Sequence, residues 1–552
     1  MKPMFTVMKG GLQVFDYLFA AADFGLGMIA ALHNSWPPHR FPGRVRMQYR
    51  IAKLIEAAYE PLMELRCEQW LTREPVPFAQ RKIGKHRVLR AGDAWAVNTF
   101  DCAWMHVTGQ LPAGVDPEDP ELCFLCDVAG EGLVVSPAGE AMQGITSTVT
   151  FCDFRQGVAG KRVVKTEGLI DENGKIDFWI DAAANDLFGN YFRNHTRWSQ
   201  PMADVSRFEP PALRELHLAR CDSELRALHY DCSVLAGVYD QKERDDYTRR
   251  LYADIETALE TRDRSILRPY LEAKNEGHAF EYSGVGHAHM DLAWLWPIRE
   301  TYRKGARTFA NQVMNMKHYP GAVFGASQAQ LYAWVRDMYP DIYAKVKELH
   351  ARGRWELLGA PWVEPDSNLI GGESLIRQFY YGQKFFLEEF GEMPQTLLLP
   401  DTFGFSACLP QVMRLAGVRF FVTIKLSQNT VNEFPFHTFH WHGLDGSTVL
   451  AHMPPENSYV AGLWPASLAK GARSYKEREI SNRAASLFGI GDGGGGPGFE
   501  HLERAARLKD LKGLPNIVWS RSMPSCISWR PRTTANGGRP RAGGGRAGIP
   551  GL

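Results

Sequence analysis

The chain has 552 residues, of which 45% are hydrophobic, 12% aromatic and 23% charged. That composition belongs to a globular protein with ample core and excludes wholesale disorder. With 63 Lys and Arg against 62 Asp and Glu, the net charge is +1, so no global field draws in nucleic acid or an anionic membrane.

Residues 1–40 are read as an N-terminal extension. The run from Val14 to Leu32 is largely apolar, but Asp16 and Asp23 interrupt it. Each acid would cost about 2.5–3.5 kcal/mol at the centre of a membrane helix. No small-residue cleavage site stands out, and a cytoplasmic protein is expected.

Residues 41–210 are read as a β-rich domain with a leading helix. Ile51, Leu54, Ile55, Ala58, Leu62 and Leu65 recur at three- and four-residue steps, which predicts a helix over about 44–70. From Val88 to Gly189 short alternating runs take over, at 94–100, 122–126, 148–152 and 175–180, and predict a β-sandwich. The pair Cys123-Phe124-Leu125-Cys126 is read as two buried thiols, since a zinc site needs four ligands. Asn194-His195-Thr196 fits a glycosylation triplet, but nothing else indicates secretion. Residues 211–278, rich in charge and poor in turn residues, are read as a helical connector.

From Phe280 the texture becomes strand, loop, helix. Short apolar runs at 280–285, 322–326, 355–358, 396–399 and 420–424 are separated by helix-length segments such as 328–351. Such alternation implies a parallel sheet, open or closed into a barrel, with ligands at the C-terminal strand ends.

The first of these runs ends in Gly286-His287-Ala288-His289-Met290-Asp291. Positions 289 and 291 are two apart, so in an extended segment both side chains point to one side and can grip one ion. A polar loop with a satisfied histidine is the alternative. Asp401 directly follows another run, Leu397-Leu398-Leu399-Pro400, where it can face His289 and Asp291 or cap the next helix. The two loops together favour an active site. His437, His440 and His442, beside Trp441, alternate as surface histidines of a strand do, and are not expected to be ligands.

Five segments then occur in order: GHAHMDLAWLWP, SQAQLYAW, GRWELLGAPWVEPDSNLIGGESLIRQ, LPDTFGFSACLPQ and GDGGGGP. Together they closely resemble the α-mannosidases of glycoside hydrolase family 38, in its cytosolic, vacuolar and bacterial branch. The resemblance is strong from about Phe280 to Pro515 and weaker back to about Phe41. It implies a multidomain fold: an N-terminal β-sandwich-like domain with helices, then a seven-stranded β/α barrel as the catalytic domain over 279–515. It also implies a divalent ion, zinc or cobalt, held by His289, Asp291 and Asp401, with Asp401 doubling as the nucleophile of a retaining glycosidase. Asp492, in the glycine-rich segment, is the candidate acid/base, or that segment is a surface turn. Trp362, Glu364 and Asp366 are read as sugar-binding residues, an aromatic face and two carboxylates, although Trp362 fits a core position equally well. The expected partner is a mannose-containing oligosaccharide, without nucleic acid or membrane, and homo-oligomerisation is left open.

The sequence also departs from the family. The resemblance implies a fourth metal ligand, a histidine in a histidine–arginine–glycine type motif downstream of the glycine-rich segment. No such motif is present, and the last histidine is His501. After Asp510 there are seven basic residues and no acid; without those seven, 56 Lys and Arg face 62 acids, and the remainder is mildly acidic. Residues 516–552 are therefore read as a foreign Arg/Gly/Pro-rich tail left by a shifted reading frame. The family's C-terminal domains are expected to be missing and activity to be low. The competing readings are a metal-dependent polysaccharide deacetylase and an inactive sugar-binding fragment.

Overall fold

A computed structural model describes residues 43–146, 161–185, 210–241, 245–276, 279–429, 431–491 and 493–519. The apolar N-terminal run, the 148–152 strand, the 194–196 triplet, Asp492 and most of the 516–552 tail lie outside the described residues. The chain divides into two compact units, Met1–Glu272 and Ala273–Leu552.

The first unit opens with a helix, Gly43–Ala57, which buries Met47, Ile51, Leu54 and Ile55 along one stripe. The helical reading of 44–70 stops there. Pro61 has no N–H to give a helix ladder, and it sits instead in strand β1 (Tyr59–Glu64), an edge strand with a bulge between Pro61 and Met63. Two antiparallel sheets follow. One has six strands, β2 (Arg66–Thr72), β3 (Lys85–Leu89), β4 (Cys102–Gln110), β6 (Glu131–Val135), β7 (Ala141–Thr146) and β9 (Lys175–Ala183), in the order β3-β2-β4-β9-β6-β7. The other runs β1-β10-β5-β8, with β5 at Leu122–Asp127, β8 at Val163–Lys165 and β10 at Glu215–Cys221. Phe124, Phe178, Met105, Val107 and Leu218 pack between them in the expected sandwich core.

Cys123 and Cys126 are three apart on β5, so they face opposite sides of the sheet: Cys126 enters the main core and Cys123 a second cluster with Ala219 and Cys221. Both are buried free thiols, and burial pushes the Cys123 thiol up to about 12. The predicted strand at 94–100 is instead a loop with one bridge at Ala94, closed by Asp101, whose Oδ2 accepts from the amides of Val97 and Asn98. The connector is helical only from Ser223 onward, in Ser223–Gln241 and Asp246–Thr261. Its first residues form β10, where Leu216 and Leu218 alternate into the sandwich core.

The second unit contains seven strands of β/α alternation: β11 (Glu281–His287), β12 (Phe324–Ala326), β13 (Trp355–Leu357), β14 (Thr396–Leu398), β15 (Phe420–Val422), β17 (Thr448–His452) and β18 (Arg483–Phe488). Parallel ladders join β18-β11-β12-β13 and β14-β15-β17, and β16 (Thr438–His442) flanks β17 antiparallel. The Leu398 amide donates to Leu358 O at 3.2 Å between the two groups. Val285, Leu358, Leu398, Val422, Ala485 and Leu487 meet in one apolar cluster, so the strands curl around a filled centre as a barrel requires. Helices such as Ile298–His318, Ala329–Met338 and Gly372–Phe390 make the crossovers. A last strand, β19 (Asn516–Trp519), pairs with the first half of β11, while β12 pairs with its end. Residues at the start of the expected tail thus belong to the sheet.

Candidate metal centre and active site

The C-terminal ends of β11 and β14 bring together His289, Asp291 and Asp401, whose ligand atoms all lie within 4.8 Å of one another. His289 is 2% exposed. Its Nε2 lies 3.5 Å from Asp291 Oδ1 and 3.7 Å from Asp401 Oδ2. Among the described residues this is the one group of three His, Cys, Asp or Glu side chains with that geometry. Asp401 does not cap a helix. The next helix, Leu409–Leu415, starts at Cys408 with no side-chain cap.

His287 stays out of the cluster. It is fully buried, its Nδ1 is 2.9 Å from Gly325 O, and burial pushes the ring down to about 4. His289 differs. Burial alone would push its ring down, but the carboxylates of Glu364 and Asp291 reverse that and hold it well above its ordinary value. Its Nδ1 lies 3.2 Å from Glu364 Oε2, whereas its Nε2 completes no hydrogen bond among the described residues. One buried imidazole nitrogen and two half-buried carboxylates, 3.5 and 3.7 Å from it, fit a divalent ion such as zinc.

The two oxygens of Asp401 face different partners. Oδ2 looks toward His289, and Oδ1 is paired with Lys425, whose ammonium also sits 4.5 Å from the Phe403 ring centre and 5.6 Å from that of Tyr459. Tyr459 in turn meets His289 edge-on at 5.0 Å. Sequence reasoning passed over Lys425, Tyr459 and Ser327. Lys425 and Ser327 each lie just past a strand end, at β15 and β12, so the strand-end rule contained the signal.

The residues read as sugar-binding are already engaged. Glu364, with its side chain 8% exposed, accepts from Ser327 Oγ at 2.6 Å and faces His289 Nδ1 at 3.2 Å. Asp366 accepts from the amides of Asn368 and Leu369 in its own turn. Trp362 is half-buried, donates to Gln330 Oε1 at 3.0 Å and meets Phe385 edge-on. His440 and His442 are exposed as expected, whereas His437 is buried, with Nδ1 accepting from the Lys476 amide.

Past position 492, Gly495 and Pro497 of the glycine-rich segment are pinned by the helix Ile298–His318. Thr308 Oγ1 accepts from the Gly495 amide at 2.8 Å, Gln312 donates to Gly495 O at 3.0 Å, and Asn315 donates to Pro497 O at 2.9 Å. Gly491 lies so close to the centre that a Cβ there would stand 3.3 Å from His289 Cβ. The described residue just before position 492 thus lies beside His289.

A β-sandwich domain thus precedes a β/α barrel whose strand ends gather a histidine and two aspartates. Residues 279–526 match the glycosyl hydrolases family 38 N-terminal domain, and residues 61–209 match the alpha-mannosidase jelly roll domain, so the chain carries both. It is 35% identical over 462 residues to Alpha-mannosidase 2C1 of Homo sapiens, which covers 82% of this chain and 43% of that protein. It is 35% identical over 433 residues to Alpha-mannosidase G of Dictyostelium discoideum, covering 76% and 38%. The Alpha-mannosidase of Saccharomyces cerevisiae is 32% identical over 449 residues, covering 76% and 39%. The chain spans less than half the length of these curated relatives. Among the described residues no helix is long and apolar enough to cross a membrane.

Proposed function

We propose that this chain is a metal-dependent, retaining α-mannosidase that removes terminal non-reducing α-D-mannose from oligosaccharides. One observation carries the reading: His289, Asp291 and Asp401 converge within 4.8 Å at the barrel's strand ends, inside the segment that matches family 38. The relatives named above are all called α-mannosidases.

His289, Asp291 and Asp401 would hold the ion, zinc or cobalt. When bound, it acts as a Lewis acid and template for sugar hydroxyls, of which the axial 2-hydroxyl sets mannose apart from glucose. Asp401 is the nucleophile. One carboxylate oxygen bonds to the anomeric carbon as the bond to the leaving oxygen breaks, and a second acid protonates that oxygen. Asp492 is the candidate acid, in the glycine-rich segment whose Gly491 lies beside His289 and whose Gly495 and Pro497 are bonded by Thr308, Gln312 and Asn315. Deprotonated by the same residue, water then displaces Asp401 from the anomeric carbon and mannose leaves with its configuration retained. Lys425, paired with Oδ1, keeps the Asp401 carboxylate from turning away.

The test is to supply purified chain with zinc, an aryl α-mannoside and a fluorinated mannosyl trap. Released phenol and a mannosyl adduct on the peptide containing Asp401 are expected. In a parallel assay with an acetylated polysaccharide, acetyl release with no mannosyl adduct would establish the deacetylase reading instead. Neither product would leave the chain an inactive fragment.

A further inference from the structure

Three strand ends meet behind His289. Ser327 and Gln328 follow β12, Glu364 lies in the loop after β13, and His289 and Met290 follow β11. Glu364 divides its carboxylate between two of them. Oε1 takes the Ser327 hydroxyl at 2.6 Å, and Oε2 lies 3.2 Å from His289 Nδ1. Gln328 locks the same three ends together: its Nε2 donates to Met290 O at 2.9 Å, and its Oε1 accepts from the Glu364 amide at 3.2 Å. Gln328 does so from φ 67°, a left-handed conformation that a residue with a Cβ adopts only when its surroundings enforce it. Ser327 and Gln328 are 5% and 3% exposed, so this lattice lies behind the site and out of reach of a sugar.

We propose that Glu364 is a positioning residue, not a sugar ligand: it anchors Nδ1 of His289 so that Nε2 points between Asp291 and Asp401. A histidine that offers one nitrogen to a metal commonly fixes the other on a carboxylate, which sets the ring's orientation and tautomer and raises its strength as a ligand. Among the described residues the polar neighbours of the ring are the carboxylates of Glu364, Asp291 and Asp401, and of these Glu364 is the one that faces Nδ1. Removing the Glu364 carboxylate leaves Nδ1 buried with nothing to hold it, and the ring is free to turn about its Cβ–Cγ bond. Ser327 acts one step further back by fixing which way the Glu364 carboxylate faces. The proposal rests on the metal-holding reading of His289, Asp291 and Asp401.

The experiment measures zinc affinity by calorimetry, and separately the His289 ring orientation in metal-free crystals, for the full chain and for Glu364→Ala, Glu364→Gln and Ser327→Ala. Losing a carboxylate that holds a ligating histidine typically weakens metal binding about 10–100-fold. That loss is expected for Glu364→Ala, together with a reoriented ring. Glu364→Gln, whose amide oxygen can still accept from Nδ1, should keep the ring in place and recover much of the affinity. Ser327→Ala should fall between. Zinc affinity within about twofold of the parent in Glu364→Ala, or a ring that does not move, overturns the proposal. If the parent chain itself takes up no zinc, the metal reading fails, and the ring orientation in metal-free crystals still decides whether Glu364 positions His289.

Discussion

Nε2 of His452 accepts the amide hydrogen of Ala485 at 3.1 Å, and the same ring contacts the Thr438 hydroxyl through Nδ1 at 2.8 Å. His452 ends β17 and Ala485 lies in β18, two barrel strands that share no ladder. At this seam a side chain supplies the acceptor that a neighbouring strand's carbonyl would otherwise provide. The ring must be neutral to do so, because a protonated Nε2 has no lone pair to give.

The barrel is therefore expected to lose stability in mild acid. Burial holds His452 at about 3, and His287 and His437 at about 4, against an ordinary value of 6.5. Between those values the unfolded chain binds protons that the folded chain refuses. Stability is thus complete above the unfolded value and falls as pH drops through 6.5 toward 4. Each ring contributes a slope of up to about 1.4 kcal/mol per pH unit. Thermal melts of the full chain between pH 7 and pH 5 check this, and His452→Gln should flatten the dependence. A midpoint independent of pH over that range would contradict it.

Metal uptake should depend on the three clustered side chains and not on the other histidines. Asp291→Asn or His289→Ala should weaken zinc binding beyond the about 10–100-fold expected for Glu364→Ala, because a ligand itself is lost. His440→Ala and His442→Ala remove exposed rings on β16 and should leave affinity unchanged. Calorimetric titration with zinc alone reads all four, without requiring turnover.

How far the site could be read beforehand depended on how local each contact is. His289 and Asp291 are two apart beyond an apolar run, so strand geometry alone put them on one side. Asp401 follows Leu397-Leu398-Leu399-Pro400, and its place at a strand end was equally plain. Glu364 was different. Its partners sit on two other loops, and beside Trp362 and Asp366 it looked like one more sugar-facing carboxylate. Lys425 stands alone after a three-residue strand, where a lysine reads as an ordinary surface charge. The fold shows the same limit. The barrel's three-residue strands fall within the apolar runs read at 322–326, 355–358, 396–399 and 420–424, whereas β18, Arg483–Phe488, has five consecutive buried positions and no alternation to betray it. The helix from Gly43 was extended too far because Leu62 and Leu65 happened to keep its spacing across Pro61.

Lys425 should influence turnover and metal affinity in opposite senses. Its ammonium holds Asp401 Oδ1 and also supplies positive charge beside the ion's place. A hydrogen bond to a charged group is worth about 1.5–3 kcal/mol, so Lys425→Met should lower kcat by about 10–100-fold if that bond orients the nucleophile. The same change removes a repelling cation, and zinc affinity should hold or rise. Lys425→Arg keeps the charge and should recover part of the rate. Equal losses of rate and of zinc affinity would show that Lys425 only maintains the local fold.

Gly382 offers a test of how the Glu364 loop is carried. It lies in the helix Gly372–Phe390 where the backbone of the next layer comes closest: a Cβ there would fall 2.1 Å from Ala360 O and 2.5 Å from the Pro361 carbonyl carbon. Only a glycine lets helix and loop approach to that distance. The approach matters because Gln378, one turn earlier, ties down the loop: its carbonyl accepts from the Trp362 amide at 2.8 Å and its Oε1 from the Val363 amide at 2.9 Å. Gly382→Ala should push the loop outward and cost about 1–3 kcal/mol, typical of overpacking. For a unit of this size each kcal/mol lowers Tm by about 2–4 °C. Because Glu364 moves with the loop, zinc affinity should fall as well. Gly372→Ala, at the start of the same helix with nothing within 4 Å of its Cβ, should change neither. A stable Gly382→Ala protein with undiminished zinc affinity would mean that the loop's position is set elsewhere than by this helix.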